Sequence, residues 1–236
     1  MSGDRTGARL LAGCGLAFLL LAADARAQDE AIPASQEPRH IVKLENDWVR
    51  VIEVEIPQGE QTLYHTHAFD YPYVLLTDVT LANQIPGKEA ADAHMQAGFV
   101  GYYDAQAKGP YTHRFINRGP GEFHAIGIEL LKPAQHDSAA STSLPPLYGA
   151  EIVLDNARVG AYRIKLEPGA SVGPLTIPGP SVRVAVTGGK LLHEVEETQS
   201  QMRLTPGQFV FQPQTTTATF TNAGPSPLEL VEIVLK

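Results

Sequence analysis

The chain repeats itself, and the repeat limits the fold more than any other feature. "LENDWVRVIEVEIPQG" at 44–59 aligns without a gap on "LDNARVGAYRIKLEPG" at 154–169, 110 residues later. Leu44, Asn46, Val49 and Gly59 meet Leu154, Asn156, Val159 and Gly169. A second match pairs "HRFINRGPGEFHAIGIELL", from His113, with "ATFTNAGPSPLELVEIVLK", from Ala218, at a spacing of 105. There Phe115, Asn117, Gly119, Pro120 and Ile128 meet Phe220, Asn222, Gly224, Pro225 and Ile233. Two registers with one small deletion between them describe two copies of one unit, at 39–133 and 147–236. A Ser/Ala/Pro-rich linker at 134–146 joins them.

Each copy has the pattern of strands. "WVRVIEVEIPQGE" alternates apolar and charged side chains and stops at Pro57 and Gly59, and "YPYVLLTDVTL" is the continuous apolar run of a buried strand. The 21 glycines and 18 prolines suit many strands joined by turns. Only "GKEAADAHMQAG", 87–98, has the makings of a short helix. The expected class is all-β, with two stacked antiparallel sheets in each copy.

The first thirty residues differ in kind. Arg5 and Arg9 precede the apolar run "LLAGCGLAFLLLAA", and Ala25-Arg26-Ala27 ends it. This is a secretory signal over 1–27; a membrane-spanning helix would need roughly 20 apolar residues. A polar flexible leader follows at 28–38. The protein is therefore expected outside the cytoplasm, in a periplasm. "LAGC", 11–14, is similar to a lipoprotein cleavage box, but most of the apolar core follows Cys14, which argues against a lipid anchor there. Cys14 is the one cysteine, so the mature chain is expected to have no disulfide, thiolate nucleophile or sulfur-ligated metal. A net charge of -8 without a basic run excludes nucleic acid as a partner.

The chemistry concentrates in "LYHTHAFDY", 63–71. On a strand, His65 and His67 project to one face about 7 Å apart, where two imidazoles can share one ion. Asp70 would point to the other face unless the chain bends before Tyr71-Pro72. His113 is the candidate third histidine. Taken singly, each has an ordinary explanation, as a strand histidine or a turn cap. In the second copy, however, the equivalent positions fall near Leu175, Ile177 and Ala218. All three histidines vanish together while the turn glycines and the asparagine persist. Joint loss fits one function that one copy kept. Nitrogen and oxygen ligands without sulfur suit Fe(II), Mn(II), Zn(II), Ni(II) or Cu(II). Tyr71, Tyr73 and His124 are candidate substrate contacts, His124 in an apolar strand where it either faces the same cavity or is simply half-buried. His40, His94, His136 and His193 lie in polar or linker contexts and read as surface residues.

These motifs resemble those of the cupins. Gly59, then "EQTLY", then His65-Thr66-His67 is similar to the family's G-x5-H-x-H, and His113 to Asn117 is similar to its later H-x3-N. The resemblance covers about 40–133 in full and 147–236 in strand pattern and in the turn "LTPGQFVFQP", without the ligands. It implies two tandem jelly-roll β-barrels, a bicupin with a degenerate second domain. There is one departure. The family's glutamate, four or five residues past the second histidine, is here Tyr71 or Pro72, so either Asp70 takes that role or the site has three histidines. The resemblance further implies one divalent transition metal, a small-molecule substrate, quercetin-dioxygenase-like oxidoreductase chemistry and association into a homodimer. The other readings are a periplasmic cupin that binds or senses a small ligand without turnover, and a structural role.

Overall fold

The computed structural model describes residues 30–132, 144–196 and 198–236. The expected signal sequence, Cys14, His136 and most of the linker lie outside the described residues. In the first copy the strands are β1 (Ile32–Pro33), β2 (His40–Glu45), β3 (Val49–Ile56), β4 (His65–His67), β5 (Tyr71–Leu75), β6 (Val79–Gln84), β7 (Ala91–Met95), β8 (Val100–Tyr103), β9 (Tyr111–Asn117) and β10 (Phe123–Leu130). They form two five-stranded sheets, ordered β1-β4-β9-β6-β7 and β2-β3-β10-β5-β8. In the second copy they are β11 (Glu151–Asp155), β12 (Val159–Leu166), β13 (Ser171–Ile177), β14 (Ser181–Ala185), β15 (Gly189–Val195), β16 (Thr198–Leu204), β17 (Phe209–Gln212), β18 (Thr216–Asn222) and β19 (Leu228–Leu235). Their sheets run β13-β18-β15-β16 and β11-β12-β19-β14-β17. Apart from β1, each strand of one barrel has its counterpart at the same place in the other. The repeat in the sequence is thus a repeat in topology.

The matched residues do the same work twice. Asn46 Oδ1 accepts from the backbone N–H of Trp48 (2.8 Å) and Val49 (3.0 Å), and Asn156 Oδ1 from Arg158 (2.8 Å) and Val159 (2.9 Å), each opening a long strand. Gly59 and Gly169 close the same turn at φ +77°, in the left-handed region that excludes most side chains. Asn117 is fully buried and donates to the carbonyls of Ile56 and Gly121; Asn222 donates to those of Leu166 and Ser226. The asparagine of the H-x3-N motif is therefore a fastening for the barrel, which explains why it survives where the histidines do not.

The barrels meet through the outer faces of their β3- and β12-containing sheets. One apolar cluster joins Val49, Val51, Val74, Ile126 and Ile128 to Val159, Val182, Val184, Val231 and Ile233. Each such side chain withdrawn from water stabilises by roughly 1.5–3 kcal/mol, so apolar burial dominates this contact. Two expectations are corrected. The segment 87–98 is not a helix: Ala91–Met95 is strand β7, paired with β6 so that Leu81 lies opposite Ala93. The short helix is α1 (Ala105–Lys108), capped by Asp104. The leader is not free from Ile32 onward. Strand β1 runs parallel to β4, with Ile32 beside His65, and Glu37 Oε1 accepts from the Leu63 N–H at 3.1 Å.

Candidate metal centre

Strand geometry assembles the trio. His65 and His67 share a face of β4, and β9 lies antiparallel to it with His113 directly opposite His65. The ring centroids are 4.5 Å apart for His65–His113, 5.0 Å for His65–His67 and 5.2 Å for His67–His113. One ligand nitrogen from each lies within 4.8 Å of the others. All three rings are buried.

The other ring nitrogens set the tautomers. His65 Nδ1 donates to the Leu63 carbonyl at 2.9 Å, which leaves Nε2 with its lone pair. His113 Nδ1 bonds Asn83 Oδ1 at 2.9 Å, again freeing Nε2. Carbonyl or amide partners behind imidazoles are what orients metal-ligating histidines. His65 Nε2, His67 Nδ1 and His113 Nε2 are buried without a protein partner. Three convergent orphan nitrogens are costly unless something accepts their lone pairs. Burial pushes His65 down to about 4 and holds His67 and His113 well below the usual histidine range, reinforced for these two by the neighbouring rings. The trio is therefore neutral at neutral pH, the form that binds a cation. The donor set fits a divalent transition metal.

The sequence missed a fourth histidine. His40 is not on the surface: it is 4% exposed, its Nδ1 bonds the Ala34 carbonyl at 2.9 Å, and its ring lies 4.4 Å from that of His65. Burial lowers it to about 3. Alternation along "HIVKLE" places His40 on the inner face where β2 enters the barrel, and that signal was available. His193, also expected at the surface, is half-buried in the second barrel and stacked on Phe220. His94 is exposed, as expected.

Two of the trio, His67 and His113, line a cavity of about 400 Å³, with His65 behind them. Tyr71, Tyr73, Tyr103, Tyr111, Phe115 and Phe123 supply its aromatic walls, with His40, His67, His113 and Asn83 as polar groups. None of its lining residues is an Asp, Glu, Lys or Arg. Tyr71 packs on His67 with ring centroids 4.3 Å apart. Two glycines make room for the tyrosines. A Cβ at Gly127 would overlap the Tyr71 phenol, and one at Gly101 the Tyr73 phenol. Burial raises both phenols, so both remain donors.

Two expected site residues are not brought to the trio. Asp70 turns away: Arg158 Nε of the second barrel donates to its Oδ2 at 2.7 Å, and the Gln106 N–H to its Oδ1 at 3.0 Å. Both carboxylate oxygens are committed elsewhere, so the four-residue ligand set reduces to three histidines. His124 faces outward, because Phe123 and Ala125 take the inner face of β10. Its Nε2 meets Glu53 Oε1 at 2.9 Å, against the turn at Gly207. Tyr71 and Tyr73 do line the cavity.

Two fused all-β barrels, one with a buried three-histidine centre, define the class of molecule. The fold is that of the cupin superfamily, in a two-barrel form. No protein-family model and no curated protein matches the chain. Among solved structures, YhaK from Escherichia coli is 14% identical with a TM-score of 0.54, over 88% of this chain and 99% of that one. Procruciferin, an 11S globulin from Brassica napus, is 12% identical with a TM-score of 0.58, over 84% and 82%. Salicylate 1,2-dioxygenase from Pseudoaminobacter salicylatoxidans, in complex with gentisate, is 10% identical with a TM-score of 0.53, over 91% and 79%. At such identities these likenesses define the fold alone, which hosts many functions.

Proposed function

We propose that the chain is an exported, metal-dependent oxidoreductase, dioxygenase-like, acting on a small uncharged organic molecule in the first barrel. The convergence of three histidines with unpartnered buried nitrogens, two of them on the wall of an aromatic cavity, carries this reading. His65, His67 and His113 would hold one Fe, Mn, Zn, Ni or Cu ion. When bound, the metal supplies a Lewis acid and, for a redox-active ion, an electron relay. The likeness in fold to a salicylate dioxygenase supports oxygen chemistry.

The chain's own residues supply the rest. The aromatic walls exclude water and sandwich a planar substrate. The absence of a cationic side chain from the lining disfavours a substrate that depends on carboxylate recognition. Tyr71 and Tyr73, protonated and held over Gly127 and Gly101, are placed to donate to substrate oxygens. Leu63 and Asn83 fix the tautomers of His65 and His113.

The test begins with metal content. The untagged chain, exported by its own signal, is expected to carry about one transition metal, and His65→Ala/His67→Ala to carry none. Oxygen uptake is then screened with neutral phenols and enols. Failure to take up any of the five metals would overturn the reading. Saturable binding of a screened compound without turnover would make the protein a binding module instead.

A further inference from the structure

The barrel without ligands grips the loop that carries them. Asp70 lies between His67, the last residue of β4, and Tyr71, the first of β5. Its carbonyl accepts from the Leu130 N–H at 2.9 Å, its Oδ1 from Gln106 and its Oδ2 from Arg158. Arg158 reaches across from the turn between β11 and β12, and a second guanidinium nitrogen donates to the Lys132 carbonyl at 2.6 Å. The paired side chains are 11% and 3% exposed. This is a buried ion pair between barrels, three residues from one histidine of the trio and one residue from the tyrosine that packs on it. Burial and proximity to Asp70 also raise the Tyr102 phenol on the cavity wall.

The repeat provides an internal control. Leu235 N–H donates to the Pro180 carbonyl as Leu130 does to Asp70, and Lys236 N–H to Arg158 as Leu131 does to Trp48, all at 2.9 Å. Pro180 is therefore the counterpart of Asp70, and Trp48 the counterpart of Arg158. Trp48, Gly179 and Pro180 line one cleft at the barrel junction. At the equivalent positions toward the ligand-free barrel, the residues are a tryptophan and a proline that line this one cleft together with Arg158. Toward the histidine barrel, they are an arginine and an aspartate. Apolar contact suffices to hold the barrels together, as the shared valine and isoleucine cluster does. A buried charge pair adds direction, because each partner is costly to leave alone.

We infer that Arg158 is a positioning residue for the metal centre of the other barrel, acting through Asp70 to hold His67 and Tyr71 in place. The inference rests on the reading of the trio as a metal site. It gives the second barrel a task in the first barrel's chemistry although it has lost the ligands. Asp70 occupies nearly the chain position at which a fourth ligand was expected, and it serves the site from behind.

Co(II) is the probe, with the full chain. Wild type, Arg158→Met, Arg158→Lys, Asp70→Asn and Trp48→Leu are compared in Co(II) affinity by competition, in the visible spectrum of the Co(II) form, and in the Tm of the metal-free form. Arg158→Met is expected to weaken Co(II) about 10–100-fold, the usual effect of losing a residue that orients a ligand, and to shift the spectrum. Arg158→Lys should recover part of both. Trp48→Leu should lower Tm and leave Co(II) affinity and spectrum unchanged. Wild-type affinity and spectrum in Arg158→Met would overturn the inference, whatever its Tm. If Arg158→Met does not fold, unaltered Co(II) binding in both Arg158→Lys and Asp70→Asn overturns it. If wild type itself binds no Co(II) and none of the five metals, the metal reading falls and takes the inference with it; if wild type binds and the variants match it, only the inference falls.

Discussion

The two barrels place different side chains at the same points of one scaffold. In the first, His65 lies opposite His113; in the second, Leu175 lies opposite Ala218. Leu175, Ile177 and Ala218 are buried in an apolar core. Across the neighbouring strands, Tyr73 faces Gly127, and its counterpart Arg183 faces Glu232. The glycine leaves space for the Tyr71 phenol, as Gly101 does for that of Tyr73, beside the cavity. The glutamate fills that space, accepting from Ser181 at 2.5 Å and from Arg183 Nε at 2.7 Å, while Arg183 packs over Phe220. One barrel spends its interior on a site and the other on its own stability. The scaffold tolerates both because the fastenings, Asn117 and Asn222 and the turn glycines, lie outside the exchanged positions.

The comparison is broken most completely at the trio. His113→Ala should abolish metal retention through gel filtration, measured by elemental analysis, whereas Ala218 and its neighbours bind none to lose. Glu232→Gln tests the other side. It leaves Arg183 as a buried charge without its partner, and should cost about 3–5 kcal/mol in denaturant unfolding with metal content unchanged. If metal content falls with it, the division of labour is wrong. Gly127→Ala should cost about 1–3 kcal/mol by overpacking and should displace Tyr71, read as weaker binding of a neutral phenol at constant metal content.

A pH series sharpens the same contrast. His40, His65, His67 and His113 have folded pKa values below the ordinary 6.5, so the unfolded chain binds more protons between those values. Their contribution is fully present above about pH 6.5 and is lost progressively as pH falls below it, through about 4 for His65 and about 3 for His40. The metal-free protein should therefore lose stability across that window. Replacing His65 and His67 by the second barrel's residues, His65→Leu/His67→Ile, should flatten the slope. The smallest effect is expected at His124→Gln. Its pair with Glu53 is partly exposed, so the change should be under about 1 kcal/mol, with metal content unaltered.

Much of this was legible in the sequence. The repeat defined two units and aligned their long strands, β3 with β12, β9 with β18 and β10 with β19; the remaining strands were matched only by the topology. The two-residue spacing of His65 and His67 put them on one face, and their joint absence from the second copy singled them out with His113. Tyr71 and Tyr73 were legible as candidates from their closeness to the histidine pair, and the structure lines the cavity with both. Other features were legible only in part. His40 has the inward phase of its strand, but the polar residues around it suggested the surface. The segment 87–98 is short and alanine-rich, and pairing with β6 overrode its local preference for helix.

What the sequence determined by itself are the properties set by local period and by comparison of one copy with the other: all-β class, two copies of one β unit, three candidate histidines and the copy that holds them. What only the tertiary structure decided is where side chains go once the chain bends or meets the other barrel. Asp70 sits three residues past His67, yet its direction is set by Arg158, 88 positions away. His124 lies in the strand beside the cavity, and its phase turns it to the Gly207 turn of the second barrel. The cavity exists because Gly127 and Gly101 lie across from tyrosines on another strand. Such pairings have no signature in local spacing, because the charge, volume and room that fix them come from residues distant along the chain.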